Sequence, residues 1–257
     1  MIELVKELAG AYGPPSREEE IRGLIQKKMT PYVDAVYTDA LGNLIAVKKG
    51  PGKRIMLAAH MDEIGVVAAY IDEKGFIRFS NMGGVNPFIA AGQRVRFGDG
   101  TTGTVCYEET LEEMKDLKLN RMYIDIGTKS REETSHYIQP GDMAVFVGET
   151  LEQNGRYISK ALDNRIGCAI LVALARQMKN PVNEVIFAFT VQEEVGLRGA
   201  GPAAFGIRPD LAVAVDVTNT GDTPDCKPLA IDLGKGPAIM IKDAKSLSHP
   251  LVKDTLI

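Results

Sequence analysis

The 257-residue chain has no tryptophan, only three cysteines and three histidines, and 6% aromatic residues. Without Trp it lacks the broad flat side chains on which sugar-binding clefts usually stack their rings. Cys106, Cys168 and Cys226 are far apart and odd in number, which excludes a disulfide framework and fits a reducing compartment. No C-x-x-C spacing suggests a zinc ribbon. No stretch carries a run of Lys or Arg and the net charge is -4, so a nucleic-acid partner is not expected. No apolar run approaches the roughly 20 residues that cross a bilayer. The opening Met1-Ile-Glu-Leu-Val-Lys-Glu-Leu reads as an amphipathic helix and not as a signal peptide. No membrane partner and a cytoplasmic location are the resulting expectations.

What is present is ordinary for a globular protein: 45% hydrophobic and 25% charged residues, and enough length for one or two domains. One stretch organises the rest. Val185 to Val191 reads as a buried strand that stops at two adjacent carboxylates, Glu193 and Glu194. On an extended segment successive side chains point in opposite directions, so each glutamate is expected to serve a different neighbour.

Two further apolar strands end the same way. Ile55 to Ala59 leads to His60 and Asp62, and Leu211 to Val215 leads to Asp216. Asp163 sits at the N-cap position of a helix with Ile166, Ile170, Leu171, Leu174 and Met178 at helical spacing. Near the N-terminus, residues 2–9 form a helix closed by Gly10, and Ser16 with Glu19 makes a capping box for a second helix reaching Met29. Strands are expected at Ala35–Tyr37 and Leu44–Val47. Between Gly65 and Glu152 short β-like runs alternate with Gly, Asn and Asp turns, the texture of a small barrel. Within it, Glu108–Lys118 is expected to be an exposed loop and His136 a solvated histidine. Gly234-Lys-Gly-Pro is read as a turn before another strand ending at Lys242, and Pro250 as a helix start.

In open α/β sheets the ligand crevice lies outside the carboxyl ends of the strands. If the three strands are parallel neighbours, one imidazole and several carboxylates meet there without cationic partners. Such a set is costly to desolvate unless a divalent cation joins it. One His with Asp and Glu oxygens suits zinc, cobalt or manganese better than calcium. Asp62, two residues after His60, is placed to hold the far imidazole nitrogen.

His60-Met-Asp62-Glu-Ile-Gly, Asp163-Asn-Arg, Gln192-Glu-Glu-Val-Gly-Leu-Arg-Gly-Ala, Asp216-Val-Thr and Gly234-Lys-Gly-Pro resemble, in order, the glutamyl aminopeptidase family of co-catalytic metallopeptidases. That family includes the tetrahedral aminopeptidases and proteins labelled cellulase M or endoglucanase. The resemblance implies a mixed α/β sheet flanked by helices, with a barrel at 65–152 inserted between peptidase segments 1–64 and 153–257. It implies two divalent metal ions: His60 and Asp216 on one, Asp163 bridging, Glu194 on the other. Glu193 would be the general base and Asp62 the support of His60. Peptides would be the substrates and a homo-oligomer, dodecameric in relatives, the assembly. Relatives continue past the position of Ile257 and carry a second histidine ligand there, so a C-terminally incomplete peptidase segment is the expectation. His249 resembles a non-ligand position. A glycoside hydrolase and an inactive truncated homologue are the alternatives. The absence of Trp and the presence of a histidine among shared carboxylates weigh against the glycosidase.

Overall fold

The structure is a computed structural model that describes residues 1–111 and 113–257. In chain order the strands are β1 (Ala35–Thr38), β2 (Leu44–Lys48), β3 (Arg54–His60), β4 (Gly65–Ile71), β5 (Ile77–Met82), β6 (Arg94–Phe97) and β7 (Thr102–Tyr107). They continue with β8 (Met122–Asp125), β9 (Met143–Phe146), β10 (Leu151–Gln153), β11 (Arg156–Ile158), β12 (Glu184–Thr190) and β13 (Leu211–Ala214). The helices are α1 (Ile2–Gly10), α2 (Glu19–Met29), α3 (Pro87–Ala90), α4 (Arg131–Ser135), α5 (Leu162–Gln177), α6 (Ala200–Ile207) and α7 (Pro250–Leu256).

Five strands form the central sheet in the order β1-β2-β12-β3-β13. β12, β3 and β13 run parallel, while β2 joins β12 antiparallel. The two faces of β12 follow from its alternation. Val185, Phe187 and Phe189 pack with Leu4, Leu8, Ile21, Ile25 and Leu171 from α1, α2 and α5. Ile186 and Ala188 pack on the opposite face with Ala203 and Ile207 of α6. A central strand covered on both faces has no polar side, which is why this stretch is apolar throughout.

Strands β10 and β11 pair by themselves as an antiparallel ribbon, and six further strands, β4-β5-β8-β7-β6-β9, close a barrel. Alternate residues such as Val66, Ile77, Phe79, Val95, Phe97, Val105 and Ile124 fill it. The fold is therefore α/β with a small barrel whose strands lie within Gly65–Phe146. The Tyr12 hydroxyl, donating to the Met143 carbonyl at 2.9 Å, ties the loop after α1 to the last barrel strand.

Several local expectations give way. Ser16 does not cap α2: its φ is 68°, and the residue before the helix is Glu18. Nor does Asp163 cap α5. Asp163 and Asn164 are non-helical, and the Asn164 side chain accepts the Gly167 N–H at 3.1 Å. The buried face of α5 is built of small residues, Gly167, Cys168, Ala169, Val172 and Ala175 with Leu171, whereas Ile170 and Leu174 are exposed. The segment after Gly234 is not a strand; it makes one isolated bridge, Lys242 to Leu247. In the 108–118 stretch, Glu112 lies outside the described residues and Leu117 is buried. Among the described residues no helix is long and apolar enough to cross a membrane.

Candidate metal centre

The sheet order puts β3 between β12 and β13, so His60 stands at the middle of three parallel carboxyl ends. Its Nε2 lies 2.9 Å from Asp163 Oδ1 and 3.9 Å from both Glu193 Oε2 and Asp216 Oδ1. Two overlapping groups of donor atoms result, each drawn within 4.8 Å: His60 with Asp163 and Asp216, and His60 with Glu193 and Glu194. All the residues expected at the site thus converge, but not quite as the strand alternation implies. β12 stops at Thr190, and Gln192 turns left-handed at φ 54°. Glu193 and Glu194 therefore sit on a turn, and both carboxylates approach His60 instead of diverging.

Asp62 also differs in detail. His60 Nδ1 is 3.2 Å from the Asp62 carbonyl and 3.5 Å from its Oδ1, so the carbonyl is the closer acceptor. The Asp62 carboxylate, fully buried, instead accepts the backbone N–H of Glu193 at 3.0 Å and of Glu194 at 3.1 Å.

The remaining histidines stand elsewhere. His136 is exposed beyond α4. His249 accepts the Leu251 N–H at 3.2 Å and caps α7. Neither belongs to the two donor groups.

The electrostatics are those of an uncompensated cluster. Among the described residues no Lys or Arg forms an ion pair with Asp62, Asp163, Glu193, Glu194 or Asp216. Burial, then the charge of Asp163, pushes Glu194 up to about 7, and burial also raises Glu193 and Asp216. Burial alone would lower His60. Hydrogen bonds to Asp163 and Asp62, with the charges of Asp62 and Asp216, outweigh it and raise His60 to about 10. The imidazole is thus the only cation the cluster supplies for itself. One buried nitrogen and several oxygen donors at the crevice, without a Lys or Arg partner among the described residues, fit a divalent cation.

Cys168 is no rival ligand. Its thiol donates to the His60 carbonyl at 3.2 Å, and burial pushes it up to about 12. Two cavities open onto the cluster. One, of about 290 Å³, is walled by His60, Glu193 and Asp216. The other, of about 620 Å³, runs toward the barrel past Ile64, Val85 and Phe146, with Asp163 and Glu194 in its wall.

A supporting layer was not legible as functional in the sequence. Buried Asn43 accepts the Val191 N–H at 2.9 Å and donates to the Gly199 carbonyl at 3.0 Å, bracketing the 191–199 turn. Gly199 is required there, since a Cβ would lie 2.4 Å from the Val191 carbonyl oxygen. Asn164 Nδ2 donates to the Val215 carbonyl at 2.8 Å, linking the Asp163 segment to the strand end before Asp216. Arg165, fully buried, donates to the Ala11 carbonyl at 3.0 Å and pairs with Glu63 at 3.2 Å.

This combination of sheet, barrel and strand-end cluster is an α/β peptidase fold. A solved aminopeptidase from Desulfurococcus kamchatkensis matches 99% of the chain and 75% of its own at a TM-score of 0.94, with 37% identity. A Thermotoga maritima structure named an endoglucanase matches 98% of the chain and 78% of its own at 0.86, with 33% identity. A Pyrococcus horikoshii peptidase, described as assembling into a tetrahedron or a large octahedral shell, matches 87% and 72% at 0.78, with 34% identity. In sequence, a putative aminopeptidase of Acetivibrio thermocellus is 55% identical over all of this chain and 78% of its own length. The chain belongs to the M42 glutamyl aminopeptidase family, whose profile matches residues 42–257.

Proposed function

We propose that the protein is a metal-dependent aminopeptidase that releases N-terminal residues from peptides, with Glu193 as general base. The observation that carries this reading is the convergence of His60, Asp163, Asp216, Glu193 and Glu194 without a Lys or Arg ion-pair partner among the described residues. In the proposal His60 and Asp216 would hold one ion and Glu194 a second, with Asp163 available to both; zinc, cobalt and manganese suit these donors. Divalent ions held there would supply polarisation of a scissile carbonyl and a lowered pKa for the attacking water.

The chain's own groups do the rest. Glu193, raised by burial, takes the proton of the attacking water and delivers it to the departing amine nitrogen. The Asp62 carbonyl fixes the His60 ring through Nδ1, so that Nε2 faces the crevice beside Asp163 Oδ1. The larger cavity, walled by Asp163 and Glu194, receives the peptide. A peptidase unit of residues 1–64 and 153–257, interrupted by a barrel unit at 65–152, is part of the same proposal. So is assembly into a homo-oligomer, supported by the shell-forming Pyrococcus horikoshii structure.

The test is a side-by-side assay of chelator-treated and zinc- or cobalt-reloaded protein on aminoacyl anilides, short peptides and cellulose. Ion-restored release of N-terminal residues is expected. Chelator-resistant cellulose cleavage without peptide turnover would contradict the proposal and favour the endoglucanase label.

A further inference from the structure

We infer that Glu18 is a positioning residue for this hydrolysis: its buried side chain fixes the left-handed turn at Gln192 that carries Glu193 and Glu194 into the crevice. The inference rests on reading the crevice as an aminopeptidase centre. Glu18 precedes α2, is 3% exposed, and forms no ion pair among the described residues. A carboxylate buried without a cation is costly, and a position serving packing alone would be apolar.

Its hydrogen bonds show what it holds. Oε1 accepts the Ser16 N–H at 2.8 Å and the Gln192 N–H at 3.2 Å, the latter from 174 residues away in the chain. Gln192 adopts φ 54°, a conformation that side-chain-bearing residues disfavour. The next two N–H groups, of Glu193 and Glu194, go to the Asp62 carboxylate. Three successive amides are therefore received by two buried carboxylates, one from the start of α2 and one from the loop after β3. Without Glu18 the first of the three amides loses its acceptor, and the turn can relax toward the extended geometry that separates Glu193 from Glu194.

Reach and charge can be separated. Glu18→Gln keeps an acceptor oxygen at the same reach but no charge; Glu18→Asp keeps the charge but falls one methylene short; Glu18→Ala removes both. For the full chain, cobalt(II) affinity and the visible spectrum of bound cobalt are measured beside kcat and KM for N-terminal residue release. Glu18→Gln is expected to retain the larger part of both properties. Glu18→Asp and Glu18→Ala are expected to lose about tenfold to a hundredfold in kcat, with KM within about threefold, and to bind cobalt more weakly. If Glu18→Ala does not fold, the Gln-to-Asp comparison decides alone. Glu18→Asp equal to or better than Glu18→Gln in cobalt affinity and kcat would overturn the inference. Should the parent release no N-terminal residue, the aminopeptidase reading fails by itself, and the cobalt series still decides whether Glu18 sets the turn.

Discussion

The carboxylate of Asp62 holds the backbone of Glu194: Oδ2 accepts the Glu194 N–H at 3.1 Å while Oδ1 takes that of Glu193 at 3.0 Å. One buried acid therefore couples the end of β3, which presents His60, to the turn after β12, which presents both glutamates. Asp62→Asn keeps one acceptor and replaces the other by a donor facing an N–H. A loss of about 10–100-fold in cobalt affinity or in kcat is expected, typical of groups that orient ligands from behind. Parent-like values in both measurements would remove Asp62 from the support of the site.

Glu193 and Glu194 lie side by side and are expected to fail differently. Glu193→Gln should leave ion binding nearly intact while lowering kcat by about 10²–10⁴-fold, the usual worth of a general base. Glu194→Gln should lose the ion it holds. Dialysis followed by elemental analysis, run with kinetics, separates the two. Activity within a few fold for Glu193→Gln with ions bound would rule it out as base.

The pH response of the ion-free fold follows from two groups. His60, raised from 6.5 to about 10 by its hydrogen bonds to Asp163 and Asp62 against the lowering by burial, adds stability that is complete below 6.5 and lost as pH rises through 10. Glu194, raised from 4.5 to about 7 by burial, costs the fold nothing while protonated, and the penalty of its buried charge grows as pH rises from 4.5 through 7. Both trends weaken the ion-free fold as pH rises, and a bound cation relieves both. The gain in Tm on adding cobalt should therefore be larger at about pH 8 than at about pH 5.5. A gain that is flat or shrinks with pH would contradict this electrostatic account.

Arg165 offers a test of the support behind the site. It is fully buried, serving the carbonyls of Leu8 and Ala11 and the carboxylate of Glu63, which Lys160 also pairs. Arg165→Met leaves two buried carbonyls without this donor and Glu63 with one cation. A loss of roughly 3–5 kcal/mol in urea unfolding is expected. A change below about 1 kcal/mol would mean that the network relaxes around the gap.

The strand ends were legible because each is an apolar run that stops at an ionisable side chain; that β3, β12 and β13 are parallel neighbours was only a condition in the sequence, and the structure meets it. The supporting acids were not. Glu18, Glu19 and Glu20 are the same residue type in succession, and the folded contacts with Ser16 and Gln192 distinguish the buried one. Ser16 and Glu19 have capping-box spacing, yet the chain at Ser16 is left-handed, so a local rule gave way to a long-range contact. Asn43 is distinguished by no local pattern; its partners Val191 and Gly199 lie about 150 residues away. The strand expected before Lys242 failed for a related reason. A strand needs a partner, and Met240 and Ile241 remain exposed with a single bridge nearby.

The most direct measurement is anomalous diffraction at the zinc edge from crystals of the zinc-treated protein. His60 Nε2 can bind only one ion, and beside it Asp163 Oδ1 stands at 2.9 Å and Asp216 Oδ1 at 3.9 Å. A strong peak bounded by His60, Asp163 and Asp216 is expected, with a second, weaker one beside Glu194, for which no histidine nitrogen is left once His60 Nε2 holds the first ion. An empty crevice with zinc bound elsewhere, or two peaks of equal strength with His136 or His249 among the ligands, would contradict the account.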